Sequence, residues 1–383
     1  MSKSKKGILI LTPFFSPNIG GVETHLDDLT SVLDEKKYRV YVQTYSPLTT
    51  GRTLWEKYEL LGNSIQVYRH KWIGRNLFHK LENYPILNFL YLTPYLFVRS
   101  LFFMMTNSHK IDIIHAQGLN AGAIGVALKA IFKKRLIISL HAVYKETGKS
   151  KLTNHATRLI FNNAEIVLGM SKAVMNQFTQ LEAGKSNFDK YRYWVDVERF
   201  KPMDQEEARN QVGIKNCFTV LFAGRLIPIK GVKLLIDIAR ELEYIQFIFI
   251  GTGPMKNTLQ KFSKKLPNVH FLGPVQNSKM AVYYNSANIF CIPSIYEEGL
   301  GRVAMESIAC CTPVVGSNRG GIPEALNDSV SLLVEPTHEN IKCAISTLHD
   351  DGERLKKMSS LCREFALKNY SKQNATLITK HYR

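Results

Sequence analysis

Ten short apolar runs, separated by longer helical patterns, most constrain what this sequence can become. In the first half they are residues 7–14 (GILILTPF), 39–45 (RVYVQTY), 111–118 (IDIIHAQG), 135–142 (RLIISLHA) and 165–171 (EIVLGMS). In the second half they are 218–226 (FTVLFAGRL), 245–253 (IQFIFIGTG), 269–275 (VHFLGPV), 288–294 (NIFCIPS) and 312–317 (TPVVGS). Continuous rather than alternating hydrophobicity predicts strands buried on both faces, hence parallel sheets covered by helices. Two such sets predict two doubly wound α/β domains, with ligand at the carboxyl ends of the strands. The length of 383 residues independently asks for two cores. The predicted boundary falls in 191–202 (YRYWVDVERFKP), giving domains of 1–195 and 196–364, with a polar helix in 365–383 returning to the first.

A chain that is 45% hydrophobic and 21% charged is a folded one. Its net charge of +18 lies mainly in the first half, where 27 basic residues face 15 acidic ones in 1–200. Such a surface attracts anions: nucleic acid, acidic lipid or phosphorylated ligands. No nucleic-acid module and no interleaved basic–aromatic pattern is present, so phosphate ligands or a membrane surface fit better. The six cysteines show no CxxC pair and read as core thiols in a reducing compartment. The N-terminus is basic then apolar, but the apolar part is short and enters a Gly-rich turn, which argues against a signal peptide. A cytoplasmic protein, peripheral at the inner face of the membrane, is expected.

One segment departs from the pattern. Residues 84–105 are dense in Leu, Phe and Tyr, yet Asn88, Pro94 and Arg99 interrupt them, which excludes a plain membrane span. Flanked by Arg75, Lys80 and Lys110, they suit a helix pair against a bilayer interface. A core helix ahead of the Asp112 strand is an equal alternative.

Gly-rich strand ends carry the candidate chemistry. Gly20 and Gly21, in 17–24 (PNIGGVET), open a helix after the first strand, where backbone N–H groups can meet an anion. A tight turn without ligand looks the same, and the segment is neither a GxGxxG fingerprint nor a P-loop. Arg225 and Lys230, in 223–231 (AGRLIPIKG), offer a planar fork and a mobile point charge for a diphosphate. In 298–302 (EGLGR), a Gly-rich turn leads into a helix that sets Glu298 and Glu306 eight positions apart. A fourth turn, 316–324 (GSNRGGIPE), reads as shaping the site.

Taken in order, GGVETHL, VDVERFKP, FAGRLIPIKG, IGTGPMKNTL, EEGLGRVAMESIA and GGIPE resemble the group 1, family 4 type, retaining glycosyltransferases. The resemblance is strongest over 217–325, clear at 8–26 and 194–202, and weak over 45–110. It implies the GT-B fold, two Rossmann-like domains facing a central cleft. It also implies roles: Arg225 and Lys230, beside Gly231, would bind the donor diphosphate and the leaving nucleotide. Glu306 would hold the ribose, and Glu298, with Gly299, Leu300, Gly301 and Arg302, would meet the donor. Val275 matches the place of the nucleobase, and Gly20 and Gly21 would lie under the diphosphate. His141 matches a histidine directed at the sugar, completing a catalytic set of Glu298, His141, Arg225 and Lys230, whereas His115 is expected to be structural. Departures are Tyr193-Trp194 for a common Asn-Gly, Gln117 for a second histidine, Cys311 for glycine, and an added carboxylate at Glu297.

The expected activity is hexosyl or N-acetylhexosaminyl transfer, with retention, from a nucleotide sugar, with a UDP-sugar as first choice. The acceptor is a hydroxyl of a glycan or lipid-linked molecule, as in cell-surface polysaccharide or glycolipid biosynthesis. No metal is expected, and no Asp-x-Asp motif is present. The alternatives are a sugar-nucleotide epimerase or phosphorylase on the same scaffold, or a non-catalytic basic peripheral membrane protein.

Overall fold

Every residue of β1 (Gly7–Leu11), β5 (Ile113–Gln117), β9 (Thr219–Ala223) and β10 (Gln246–Ile250) is buried, as parallel strands covered on both faces require. These strands come from a computed structural model that describes residues 6–18, 20–48, 54–74, 77–81, 84–141, 151–179 and 188–383. The chain divides into two units: Met1–Arg192 with Asn374–Arg383, and Tyr193–Gln373.

The remaining strands of the first unit are β2 (Arg39–Tyr45), β3 (Tyr58–Leu61), β4 (Ile65–His70), β6 (Arg135–Leu140), β7 (Ile166–Gly169) and β8 (Phe188–Lys190). They form one sheet in the order β3-β4-β2-β1-β5-β6-β7-β8. All neighbours run parallel except β3 and β4, a hairpin at the sheet edge. Gly62 takes φ +58 in its turn, and the Asp34 carboxylate accepts from the Asn63 N–H and, at 2.5 Å, from the Ser64 hydroxyl. The hairpin escapes the search for continuous apolar runs because β3 alternates between exposed and half-buried residues and the first four residues of β4 between buried and half-buried ones.

In the second unit β11 (Val269–Gly273), β12 (Ile289–Ile292), β13 (Val314–Ser317) and β14 (Ser331–Val334) join β9 and β10. The order is β11-β10-β9-β12-β13-β14, with every pair parallel. Strand order therefore reverses between β9 and β12. The core on one side of this sheet packs Phe247, Phe249 and Val220 against Leu235, Ile236 and Ile345 of the covering helices.

The Gly352–Asn369 helix belongs to the second unit: Met358, Cys362 and Ala366 are buried, and Arg363 donates to the Val197, Phe200 and Ala309 carbonyls. Asn374–Arg383 belongs to the first unit. The Tyr382 hydroxyl and His115 Nδ1 share a hydrogen bond of 2.6 Å, Lys6 donates to the Tyr382 carbonyl, and Asp189 pairs with Lys380 and His381.

Residues 84–105 fold as two helices, Pro85–Leu92 and Pro94–Asn107, each opened by a proline at its first position. Arg75, one of the cations noted beside them, lies outside the described residues.

Candidate functional site

Doubly wound sheets bind ligands where the strand order reverses, outside the carboxyl ends of the flanking strands. In the second unit those ends carry the two segments singled out from sequence. The chain leaves β9 through Gly224 and Arg225 into a 3₁₀ turn, Pro228–Lys230, and then the Val232–Glu241 helix. It leaves β12 through Pro293 and Ser294 towards Glu298, turns at Gly299–Gly301, and enters the Arg302–Ala309 helix. The Ile295 N–H donates to the Ile229 carbonyl at 2.9 Å, holding the two segments side by side.

Glycine is required where they touch. Gly231 has φ +74, and a Cβ there would sit 2.0 Å from the Pro293 carbonyl oxygen. Gly231→Ala is expected to cost about 1–3 kcal/mol, read as a lower urea midpoint with unchanged slope. Gly320 has φ +60, and a Cβ there would meet the Glu298 backbone, whose carbonyl accepts from Gly321 N–H at 2.8 Å. The 316–324 turn thus shapes the backbone that carries Glu298. Cys311, where glycine is common in the resembling family, has φ +63, the region that favours glycine.

Glu298 is surrounded by donors. Its Oε1 accepts from Lys230 Nζ and Ser294 Oγ, both at 2.5 Å, and its Oε2 accepts from the Tyr296 hydroxyl at 3.0 Å. Lys230 Nζ also lies 5.1 Å from the Tyr296 ring centroid, within cation–π range. Burial pushes the Glu298 carboxyl up, but the Lys230 charge and the three hydrogen bonds outweigh it and hold the group below its ordinary value. Burial works against the Lys230 ammonium, and Glu298 and Tyr296 more than offset that, raising it. The lysine side chain is 17% exposed and that of Glu298 7%, so the pair is largely buried. Arg225 is half-buried, near enough for its charge to act on the Tyr296 hydroxyl.

Glu306 lies deeper, at 2% exposure. Its Oε1 accepts from Arg302 Nε at 3.1 Å and Asn277 Nδ2 at 3.4 Å, and its Oε2 from the Tyr284 hydroxyl at 3.0 Å. Here burial outweighs Arg302, Tyr284 and Asn277, and the carboxyl is raised. Arg302 is turned inward as well: it is buried, braces Glu306, and donates from Nη1 to the Trp194 carbonyl at 3.0 Å. Gly299 and Gly301 are half-buried and Leu300 is buried, with Gly301 capping the helix at φ +70. Val275 is half-buried beyond β11, two residues before Asn277, which ties that turn to Glu306. Glu297 is exposed whereas Glu298 is buried among donors, so Glu298 is the carboxylate that the fold distinguishes.

The remaining candidates belong to the first unit. Gly20, with extended backbone, precedes the Gly21–Glu35 helix, and a Cβ at Gly21 would meet nothing within 4 Å. His141, at the end of β6, has both ring nitrogens engaged: Nε2 with Gln117 Oε1 at 2.8 Å and Nδ1 with the Tyr191 hydroxyl at 3.0 Å. Gln117 accepts, so Nε2 carries the proton and Nδ1 accepts from Tyr191. Burial lowers the His141 pKa to about 3, so the ring is neutral. His115 is fully buried between Ser139 and Tyr382, a structural position.

Sequence reasoning missed Ser294, Tyr296, Asn277, Tyr284, Gln117 as a hydrogen-bond partner, and Tyr191. Ser294 and Tyr296 stand within four residues of Glu298 and were findable there. Asn277 and Tyr284 reach Glu306 from 29 and 22 positions away, a proximity that only the sheet creates. Among the described residues, no group of three or more His, Cys, Asp or Glu side chains is placed to hold a metal ion.

Comparison with known proteins identifies the family and the fold class. Residues 19–186 match the family described as Glycosyltransferase Family 4, and residues 204–365 match Glycosyl transferases group 1. An uncharacterized glycosyltransferase of Methanocaldococcus jannaschii is 25% identical, over 95% of this chain and 94% of that protein. A Corynebacterium glutamicum protein, GDP-mannose-dependent monoacylated alpha-(1-6)-phosphatidylinositol monomannoside mannosyltransferase, is 25% identical over 88% of this chain and 86% of its own. Among solved structures, sucrose-phosphate synthase from Thermosynechococcus elongatus aligns with a TM-score of 0.84 at 19% identity, covering 99% of this chain and 98% of that one. Anabaena HepE, solved in complex with UDP, aligns with a TM-score of 0.76 at 20% identity, covering 98% and 99%. The fold is of the GT-B class. The chain belongs to the group 1, family 4 type glycosyltransferases.

Proposed function

We propose that this protein transfers a hexosyl or N-acetylhexosaminyl unit, with retention, from a nucleotide sugar to a hydroxyl of a glycan or lipid-linked acceptor. The observation that carries this reading is the largely buried Lys230–Glu298 pair at the strand-order reversal. An ammonium in that position, with Arg225 five residues before it, suits the charge that develops on a departing nucleoside diphosphate. Glu298, supported by Ser294 and Tyr296, is then the sugar-side carboxylate, and Gly231 and Gly299–Gly301 supply backbone close to the donor.

Glu306 is assigned to the ribose. A carboxylate has about four acceptor positions, of which two on Oε1 and one on Oε2 are taken here, so a ribose hydroxyl would use the open position on Oε2 and a second would compete with Asn277, the longest contact, on Oε1. In this reading Arg302 acts through Glu306 instead of on the donor, and Val275 lies towards the base. By the resemblance of their motifs, Gly20 and Gly21 are kept as diphosphate contacts and His141 as the neutral imidazole directed at the sugar. Same-face attack assisted by the leaving phosphate is the favoured route to retention.

A UDP-sugar is the first choice, supported by the HepE complex with UDP, and the names of the mannosyltransferase relatives make GDP-mannose the next to try. Those names also support a lipid-linked acceptor, and with the basic first half they favour a peripheral enzyme at the cytoplasmic face of a membrane. The test is a panel of UDP-, GDP- and ADP-sugars read by thermal shift, then by release of nucleoside diphosphate with and without acceptor. A cognate donor at about 100 times its Kd stabilises by about 2.7 kcal/mol. Release accelerated by acceptor identifies transfer. Acceptor-independent conversion favours the epimerase alternative, and stabilisation by no nucleotide sugar sinks the reading.

A further inference from the structure

We propose that the helix pair Pro85–Leu92 and Pro94–Asn107 is a docking surface for an anionic lipid bilayer, lying in its interface with apolar side chains among the upper acyl chains and cations at the headgroups. This deepens the membrane-proximal reading above, on which it rests for its purpose; the surface itself rests on exposure and charge.

The sequence allowed a core helix or an interfacial one here, and burial separates them. In the most apolar stretch of Pro85–Lys110 only 22% is buried. On the first helix Ile86, Leu87 and Leu90 are 57%, 51% and 58% exposed; on the second, Phe102 and Met105 are 60% and 64% exposed. The second helix is two-sided. Leu96, Ser100 and Met104 recur at four-residue spacing and are buried, whereas Val98, Phe102 and Met105 fall on the opposite face at 100° per residue. That buried seam holds the helix against its own unit, and Pro94 divides the stretch into helices of 8 and 14 residues. By length and composition the Pro85–Lys110 stretch, which stays helical through Thr93, could cross a membrane; the buried seam that holds its second helix against the unit instead favours a pair lying along one.

An apolar face of this extent is unfavourable against water and marks a contact surface. Charge indicates what covers it. Residues 71–110 contain Lys71, Arg75, Lys80, Arg99 and Lys110 against a single acid, Glu82. Of these, Lys71, Lys80 and Arg99 are exposed. A second copy would bring the same cations together, which electrostatics opposes; an anionic leaflet complements them.

The test uses the full-length protein with vesicles of phosphatidylcholine, alone or mixed with phosphatidylglycerol, and the double substitution Leu90→Asp/Phe102→Asp at exposed positions outside the donor-binding residues. The expected result is co-sedimentation with phosphatidylglycerol vesicles that falls as salt rises. The double variant should bind at least about tenfold more weakly, with unchanged stabilisation by nucleotide sugar. No binding by wild type to phosphatidylglycerol vesicles, or equal binding by the variant, overturns the proposal. So does a wild-type dimer that the double substitution makes monomeric, which would assign the face to a second copy. Vesicle binding without stabilisation by any nucleotide sugar would sink the functional reading and leave the docking surface standing. The reverse outcome would do the opposite.

Discussion

Replacing Lys230 by Ala is expected to lower kcat/KM for glycosyl transfer by about 10²–10³-fold, the scale of losing one preorganised charge partner in a transition state. The side chain meets Glu298 Oε1 at 2.5 Å and rests against Tyr296, so its loss removes the cation that keeps Glu298 ionised. A second effect follows from linkage. The folded Glu298 carboxyl lies below its ordinary value of 4.5, so its stabilising contribution is present above pH 4.5 and is lost as pH falls through the depressed folded value. Without Lys230, burial prevails, and the carboxyl of the variant rises. Acid should then destabilise wild type more than the variant as both are taken below about pH 4.5. Activity and thermal midpoints across pH test both parts. Near-normal turnover in a folded Lys230→Ala protein would remove Lys230 from the chemistry.

The largest loss of stability is expected from Arg302→Leu. Arg302 and Glu306 form a pair with side chains 5% and 3% exposed, and removing one member leaves a buried charge with only hydroxyl and amide partners. Breaking such a pair costs about 3–5 kcal/mol, or a fall in Tm of about 10 °C for a unit of this size. The double variant Arg302→Leu/Glu306→Leu removes both charges and should recover much of that loss, a coupling that a mutant cycle measures. The pH signature is opposite in sign to that of Glu298. Because the folded Glu306 carboxyl is raised, its contribution is fully present below 4.5 and fades as pH rises through the folded value. Arg302→Leu should therefore be less destabilising at about pH 5 than at about pH 8. An unchanged Tm in the single variant, or additive effects in the double, would contradict the pairing.

Both predictions concern residues marked in the sequence, yet their partners were not. The β9 and β12 runs and the glycines after them are local signals, since a strand buried on both faces must be apolar and a turn at positive φ selects glycine. The hairpin of β3 and β4 carried no such signal, because half-exposed strands read like polar loops. Arg302 illustrates the limit at a single residue. Beside Gly301 in sequence it resembles a phosphate ligand, but helical geometry places it one turn before Glu306 and turns both inward.

By itself, the sequence determined the class of fold and the strand ends that carry Arg225, Lys230, Glu298 and Glu306, because hydrophobic period and glycine position are properties of neighbouring residues. Tertiary structure decided how those groups are paired. The strand order β11-β10-β9-β12-β13-β14 brings Lys230 to Glu298 across 68 positions and Tyr284 to Glu306 across 22. It also decided that one carboxyl is held low beside an ammonium while the other is raised by burial, because desolvation and Coulomb interaction depend on distance in space and not along the chain.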